Sequence, residues 1–256
     1  IWAGAEGGLS RFQDGEWHRV FPPQGVLFGA VLDLAETTDG VIWAGTEWGG
    51  LQIAGEQITL YTSEELAGVI QDLMPDLRIL TVPNHLVPEQ PWPKGIGARV
   101  NSDGLIYLVA PEGSAQEANL KPGDRILAVD GESLRDFREM NTGSVGKSVV
   151  LSVQPLGQAT HVDVSVMQTD VGGRFRPFPV YDVYEDRQKS IWLGLLSGEL
   201  FRYDGSWKQT DSRWKRYGEA EGLGLGSLPR VLQTQDGTIW VVSQQGDQGV
   251  YRFDGR

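Results

Sequence analysis

The side chains that most often carry catalysis or bind metals are sparse and scattered in this sequence. The three histidines, His18, His85 and His161, lie far apart, and none has a partner at a metal-ligand spacing. There is no cysteine, which removes thiolate nucleophiles, disulfides and cysteine-ligated zinc. A Gly-x-Ser-x-Gly elbow, a phosphate-binding loop and a His-Glu-x-x-His motif are also absent. We therefore expect no catalytic residue, no metal site and no cofactor in this stretch of chain.

Charge and composition narrow the partners and the fold class. The formal net charge of −12 repels a phosphate backbone, so nucleic acid is not expected as a partner. No apolar run approaches the roughly 18 residues that a membrane-spanning helix needs. The 34 glycines and 9 tryptophans favour a β-rich fold with many tight turns. The chain opens on Ile1 in the middle of a repeat, so we interpret it as a piece of a longer protein.

One short pattern, Asp-Gly-x-Ile-Trp-x-Gly, recurs along the chain in complete or shortened form. Its copies occupy residues 1–4, 39–45, 190–194 and 236–242. Trp2 and Trp43 are about 40 residues apart, and Trp192 and Trp240 are about 50 apart. Periods of this length are typical of the four-stranded blade of a β-propeller.

Two further elements accompany the pattern in the same order. An apolar element precedes it at residues 31–34, 180–183 and 229–232, and a glycine-closed element follows at residues 8–15, 199–205 and 249–255. The apolar runs have the length of strands, and Asp-Gly between them supplies the positive φ of a tight hairpin turn. Most aspartates, such as Asp39 and Asp236, are therefore turn residues. The repeated Trp is large enough to fill the gap between neighbouring twisted blades.

These residues resemble the repeats of two-component regulator propellers, the sensory β-propellers of bacterial hybrid signalling proteins. Thr46 completes the core Asp-Gly-x-Ile-Trp-x-Gly-Thr once. Residues 186–190 depart from it before the Ile-Trp pair, and Val242 and Ser243 stand where Gly-Thr is expected. The resemblance implies a mainly β fold, a partial propeller of about five blades whose terminal blades are incomplete.

The repeat is interrupted between Trp43 and Trp192, where roughly 80–100 residues exceed one period. Residues 69–73 and 77–82 are predicted as the first two strands of a further blade, and residues 172–176 as its third strand. On this interpretation the insertion lies within a blade, behind a stiff proline-rich connection.

The predicted domain boundaries follow from this interruption. Propeller blades occupy residues 1–90, an inserted domain occupies residues 91–169, and further blades occupy residues 170–256.

The insert carries a continuous signature over residues 113–131, Gly-Ser-Ala-Gln-Glu-Ala-Asn-Leu-Lys-Pro-Gly-Asp-Arg-Ile-Leu-Ala-Val-Asp-Gly. Ser114 is predicted to cap a short helix, and Asn119 to end it in the left-handed region. Residues 125–129 alternate as a strand does. The run resembles the bacterial type of PDZ domain, an α+β fold of periplasmic quality-control proteases, although Asn119 replaces the glycine usual there.

The PDZ resemblance implies a peptide site. In that family an extended peptide adds as a strand to a sheet edge, and its terminal carboxylate docks on a glycine-rich loop. The matching loop here is formed by Lys94, Gly95, Ile96, Gly97 and Ala98. The converging amides of Ile96, Gly97 and Ala98 would bind the peptide carboxylate, and Lys94 would add a positive charge. Ala98 is smaller than the apolar residue usual there, which predicts a wide or weak pocket.

A helix beside the groove is the second half of the implied site. Ser133 is a candidate cap for that helix, and by spacing the pocket candidates are Leu134, Phe137 and Met140. The alternative is that these three residues belong to the core and that the glycine-rich loop is a hairpin without a ligand.

Three functions follow as hypotheses. The first is a non-catalytic recognition or sensory segment of a bacterial signalling protein that binds peptide or protein C-termini, with room for a small-molecule signal at the propeller. The second is the substrate-recruiting part of a protease, and the third is an assembly protein whose groove is empty. Both family resemblances favour a periplasmic or extracytoplasmic location. An open arc of blades exposes strand edges, so we also expect self-association.

Overall fold

The computed structural model describes residues 1–5, 8–21, 30–101, 103–133, 145–204, 214–223, 227–245 and 249–253. Within these residues the protein is mainly β, and an α+β domain interrupts a succession of antiparallel sheets. This fold class is the one that the sequence predicts. None of the helices in this part of the chain is long and apolar enough to cross a membrane.

The first two sheets are meanders whose strands follow chain order. Sheet 1 consists of β1 Trp2–Ala5, β2 Gly8–Gln13 and β3 Glu16–Phe21. Sheet 2 consists of β4 Val31–Glu36, β5 Ile42–Thr46, β6 Gly49–Ala54, β7 Gln57–Ser63 and, after helix α1 Glu64–Leu73, β8 Arg78–Val82. The last of these strands runs parallel to β7, because α1 carries the chain back along the sheet.

Helix α1 replaces the strand that was predicted at residues 69–73, and that prediction is wrong. Ser63 caps the helix, since its Oγ accepts a hydrogen bond from the Leu66 amide at 3.4 Å. Glu64 and Glu65 lie in the first turn, where their negative charges stabilise the positive end of the helix dipole. Leu66 and Ile70 are buried four residues apart. This helical period outweighs the strand preference of the Val-Ile pair.

The inserted region contains three small sheets. Its elements are β9 Gln90–Pro91, β10 Ala98–Val100, β11 Ile106–Val109, α2 Ser114–Glu117, β12 Arg125–Val129, β13 Glu132–Ser133, β14 Ser148–Gln154, β15 Val162–Met167 and β16 Arg174–Phe175. Strands β10 and β11 pair with each other, and β13, β12, β14 and β15 form a four-stranded sheet in that order. The core between them includes Ile106, Ile126, Leu151 and Val166.

The insertion follows a finished sheet, which corrects the expectation that it lies within a blade. Sheet 2 is complete before the inserted domain begins. Residues 174–175, predicted to resume a blade, instead form β16 and pair with β9, so the two ends of the insertion are tied together. The described residues therefore form four repeat sheets, and the predicted further blade at residues 69–82 supplies α1 and β8.

Two more meanders complete the chain. Sheet 3 consists of β17 Val180–Glu185, β18 Ile191–Leu195, β19 Leu200–Tyr203 and β20 Trp214–Tyr217. After a 3-10 turn at Glu219–Glu221, sheet 4 consists of β21 Ser227–Gln233, β22 Ile239–Gln245 and β23 Val250–Phe253. Sheets 2 and 3 pack against each other although the whole inserted domain separates them in sequence.

Consecutive sheets approach each other at the repeated glycine of the strand that carries the Trp, which is β1 in sheet 1 and the second strand in sheets 2 and 3. The glycine and the residue of the next sheet that it faces are Gly4 with Val31, Gly45 with Val180, and Gly194 with Pro229. A Cβ atom on Gly45 would lie 2.6 Å from the Val180 carbonyl oxygen. The repeat thus uses glycine where one backbone must touch the next sheet.

The repeated Trp fills the gap between sheets, as predicted. In each of two interfaces the Trp of the second strand and a Tyr of the fourth strand stack, at 5.1 Å in sheet 2 and 5.6 Å in sheet 3. A ring from the third strand of the following sheet then closes the cluster. The clusters are Trp43, Tyr61 and Tyr203 between sheets 2 and 3, and Trp192, Tyr217 and Phe253 between sheets 3 and 4.

Aspartates in the first strands also link the sheets. Asp33 accepts a hydrogen bond from the Val183 amide at 2.9 Å, and Asp182 accepts one from the Val231 amide at 2.9 Å. Burial raises the pKa of Asp182 to about 6, although the bond from Val231 acts in the opposite direction. Arg230 takes the equivalent position in sheet 4, and its guanidinium lies 3.5 Å from the Asp182 carboxylate.

Candidate functional site

The glycine-rich loop of residues 94–98 leads into β10 and is held by backbone hydrogen bonds to three other segments. Gly95 and Thr169 exchange backbone hydrogen bonds of 2.9 and 2.7 Å, which close the inserted domain at its neck. The Gly95 amide is therefore engaged. The carbonyl groups of Ile96 and Gly97 accept hydrogen bonds of 2.8 Å from Ala115 and Ala110 respectively.

The three amides that the PDZ resemblance implicates are those of Ile96, Gly97 and Ala98. Gly95 and Gly97 take φ values of 145° and 74°, which the absence of a side chain allows. Within the described residues, no acceptor is bonded to the amides of Ile96 or Gly97. The loop thus presents donors without internal acceptors, as an anion nest requires.

Ala98 continues the same row of donors into β10. It faces Val109 of β11 in the antiparallel register. Because the Ala110 amide donates to Gly97, the Ala98–Val109 pair is of the non-hydrogen-bonded kind. The Ala98 N–H and C=O consequently point away from β11. Among the described strands β10 pairs with β11 alone, so this second edge is available for strand addition.

The side chains of Ile96 and Ala98 face the interior of the inserted domain. Each is only 2% exposed, and both belong to its hydrophobic core. The predicted pocket residues Leu134, Phe137 and Met140 lie outside the described residues, so their place in the site stays a prediction. Ser133 ends β13 and pairs with Ala128.

Lys94 is exposed, and its ammonium group forms an ion pair with Asp170 at 3.4 Å. An incoming peptide carboxylate would share that charge with Asp170, and solvent screens an exposed pair strongly. We therefore expect Lys94 to contribute less to binding than the backbone amides.

The short helix beside the loop begins one residue earlier than predicted. Gly113 is its N-cap and Ser114 is its first helical residue. No side chain forms a capping hydrogen bond at this end. The Ser114 hydroxyl instead lies 3.0 Å from that of Thr169, which fixes the neck of the domain. Asn119 has φ 59°, which confirms the left-handed conformation predicted for it.

The outer face of the loop packs against the returning chain. A Cβ atom on Gly97 would lie 3.0 Å from the Val171 side chain, and Val171 itself packs against the core that joins α1 to the inserted domain. Sequence reasoning missed Val171, because no motif marks it.

A junction of aromatic and charged residues fixes the inserted domain on sheet 2. Arg99 of β10 lies over the Phe175 ring at 5.2 Å and donates to the Tyr107 hydroxyl at 3.3 Å. The Tyr107 ring in turn lies 6.2 Å from that of Trp48. Strand β10 is therefore connected to sheet 2 through these side chains.

An arginine completes this junction. Arg176, just after β16, donates its amide to Glu65 of α1 at 2.8 Å, and its guanidinium lies 3.3 Å from the same carboxylate. It also pairs with Glu89. These ion pairs attach the segment after β16 to α1 and to the segment that leads into β9.

Comparisons with known protein sequences give matches to PDZ-containing proteins. The PDZ domain family model matches residues 87–154. The carboxy-terminal processing protease CtpB of Bacillus subtilis is 31% identical over 87 residues, which are 30% of this chain and 18% of the protease. A PDZ domain-containing protein of Caenorhabditis elegans is 35% identical over 71 residues, 28% of this chain and 47% of that protein. The chain thus spans less than half of either relative.

Solved structures give a weaker comparison. The extracellular domain of a hybrid two-component system protein from B. thetaiotaomicron matches with 11% identity and a TM-score of 0.25, covering 100% of this chain and 42% of that one. The extracellular domain of a one-component system protein from the same organism matches with 14% identity and a TM-score of 0.25, covering 99% and 40%. These scores are too low to establish a shared fold. The match to the PDZ domain family is thus confined to residues 87–154, and the described residues on either side of it form antiparallel sheets.

Proposed function

We propose that this chain is a non-catalytic recognition module whose PDZ domain binds the free C-terminal end of a peptide or protein. The peptide would add as a strand to the open edge of β10, and its carboxylate would be bound by the amides of Ile96, Gly97 and Ala98. The observation that carries the proposal is the outward direction of the Ala98 N–H and C=O beside amides that have no internal acceptor. The sequence repeats further support a role in a bacterial signal-transduction protein.

The test is peptide binding by the 256-residue chain. We expect peptides from a random C-terminal library to bind when their carboxylate is free and to bind at least tenfold more weakly when it is amidated. Fluorescence anisotropy of labelled peptides measures both sets. Equal binding of the two sets would contradict carboxylate recognition, and no binding of either would favour an assembly role with an empty groove.

A matched pair of glycine variants locates the site. Gly97→Ala places a methyl group 3.0 Å from Val171 at a φ of 74°, so the loop must move and binding should weaken. Gly146→Ala imposes a comparable backbone strain at a φ of 89° but meets no atom within 4 Å. Because both variants carry similar strain, an equal loss of binding would mean that the loop is not the site.

A substrate-recruiting role in a protease is the second candidate function. The similarity of the PDZ domain to a carboxy-terminal processing protease favours it. The polypeptide encoded at the complete locus distinguishes the two. A serine or Ser-Lys catalytic arrangement beyond this segment would support the protease, whereas a helical signalling or membrane segment would support the sensor.

A further inference from the structure

Strand β10 carries one charged side chain, and this side chain lies on the face of the strand that is turned away from the core of the PDZ domain. The side chains of Ala98 and Val100 belong to that core. Because side chains alternate along a strand, Arg99 between them projects from the opposite face. Its contacts with Phe175 and Tyr107 are made on that face.

Two contacts hold the Arg99 guanidinium in place without neutralising it. Its Nε donates to the Tyr107 hydroxyl at 3.3 Å, and its carbon lies 5.2 Å from the centroid of the Phe175 ring. Nε carries only one of the N–H donors of a guanidinium, and the others belong to the two Nη atoms. Among the described residues, neither Nη atom has a hydrogen-bond acceptor and no carboxylate pairs with Arg99. Arg99 is therefore a positioned, partly buried cation without a counter-charge in this part of the chain.

The backbone of β10 determines which residue of a bound peptide would lie opposite Arg99. The Asn101 amide donates to the Leu105 carbonyl at 3.0 Å, so Asn101 and Arg99 direct their N–H groups toward β11, whereas Val100 directs its own to the open edge. The last peptide residue would pair with Ala98, because its carboxylate accepts from the Ala98 N–H and its amide donates to the Ala98 C=O. In an antiparallel arrangement the penultimate residue then lies opposite Arg99.

Opposite residues of an antiparallel pair place their side chains on the same face of the sheet. The penultimate residue and Arg99 would form a non-hydrogen-bonded pair, the kind in which side chains approach more closely. The penultimate side chain would thus lie beside the Arg99 guanidinium. A guanidinium without a counter-charge favours a carboxylate there, because its Nη donors match the two oxygens of that group.

We propose that Arg99 selects peptides and proteins whose penultimate residue is acidic. This inference rests on the proposed peptide binding and adds the class of C-terminal sequence that the site prefers. The preference opposes the overall field of the protein, because a net charge of −12 disfavours a further negative charge on the ligand. Non-specific attraction would favour a lysine at the same position, so the sign of the preference identifies a local contact.

Three pools of fluorescein-labelled hexapeptides test the proposal on the 256-residue chain. Each peptide has a free carboxylate and random uncharged residues, except that its penultimate residue is fixed as Glu in one pool, Gln in the second and Lys in the third. Fluorescence anisotropy at about 0.15 M salt measures the mean affinity of each pool. We expect the Glu pool to bind about fivefold more tightly than the Gln pool, and the Lys pool to bind most weakly.

Variants of two arginines assign the preference to Arg99. Arg99→Gln should abolish the difference between the Glu and Gln pools. Arg99→Glu should make the Lys pool the tightest, a reversal that a misfolded variant could not produce. Arg174→Gln is the matched control, because it removes an exposed positive charge from β16, next to Phe175, and should leave the order of the pools unchanged.

The outcomes separate this inference from the function on which it rests. Wild-type protein that binds the three pools equally, or binds the Lys pool best, would overturn the role of Arg99 and leave carboxylate recognition intact. An acidic preference that persists in Arg99→Gln would overturn it as well. If no pool binds, peptide recognition itself is wrong, and the selectivity assigned to Arg99 is wrong with it.

Discussion

The interfaces between repeat sheets and the junction between the PDZ domain and sheet 2 achieve the same end by different means. Between sheets, a glycine, an aspartate and an aromatic cluster recur at fixed places in the repeat. At the junction, Arg99, Tyr107, Phe175 and Arg176 make contacts that occur once. Because the residues between sheets recur, a single sequence is enough to predict them. The residues of the junction occur once, so no second copy in the sequence indicates their role.

The largest expected effect breaks a repeat interface. Gly45→Val forces a side chain into the Val180 carbonyl oxygen, because even the Cβ would lie only 2.6 Å away. We expect a loss of about 3 kcal/mol or more in the free energy of unfolding. Urea denaturation measures it. The control Gly68→Ala adds a methyl group in open space on α1 and should stabilise the helix by roughly 0.5–1 kcal/mol.

The carboxylate linking sheets 3 and 4 makes stability depend on pH. The pKa of Asp182 is about 6 in the folded state, above its ordinary value of 3.8. The folded protein therefore binds this proton more tightly than the unfolded chain does, and the resulting stabilisation is lost as pH increases from about 4 through about 6. The full difference amounts to about 3 kcal/mol.

Unfolding free energies between pH 4 and pH 7.5 check this dependence. Asp182→Asn should remove most of the decline, because it retains an acceptor for Val231 but does not titrate. Arg230→Gln should steepen the decline, since the guanidinium favours the ionised carboxyl. An unchanged slope in both variants would contradict the assignment.

A smaller effect is expected at the junction. Arg176→Gln removes the ion pairs with Glu65 and Glu89, and these side chains are about one-third exposed. We expect a loss of about 1 kcal/mol in stability, and a coupling of about half that in a double-mutant cycle with Glu65→Gln. Arg174→Gln is the control, because Arg174 is exposed and has no ion pair within the described residues. Equal losses from both arginines would mean that the junction pairs contribute nothing.

The smallest effect distinguishes two copies of one turn. Lys189 takes φ 70° where its counterpart Gly40 takes φ 81°. Lys189→Gly should therefore stabilise the protein by up to about 1 kcal/mol, and Gly40→Lys should destabilise it by a similar amount. The melting temperatures of the two variants should shift in opposite directions. A shift of the same sign in both would show that the turns are not equivalent.

Turn residues and the repeated residues between sheets could be predicted from the sequence, whereas contacts that occur only once could not. Trp43 and Trp192 could be predicted as residues between sheets because they recur in the repeat. Asn119 could be predicted as the end of a helix because Asn tolerates the left-handed conformation. Residues 69–73 were misassigned, since a Val-Ile pair fits a strand as well as a buried helix stripe. The contact of Arg99 with Phe175 depends on how two units dock, and neither residue type nor spacing encodes that.

The tie between β9 and β16 has a consequence for how the chain folds. Sheets 2 and 3 must find each other across a separation of 150 residues between Asp33 and Val183. Once the PDZ domain has folded and β9 has paired with β16, that span contracts to a much shorter effective loop. Each halving of a loop lowers its closure entropy cost by about 0.6 kcal/mol. The inserted domain is thus expected to fold first and to speed the association of the sheets on either side of it.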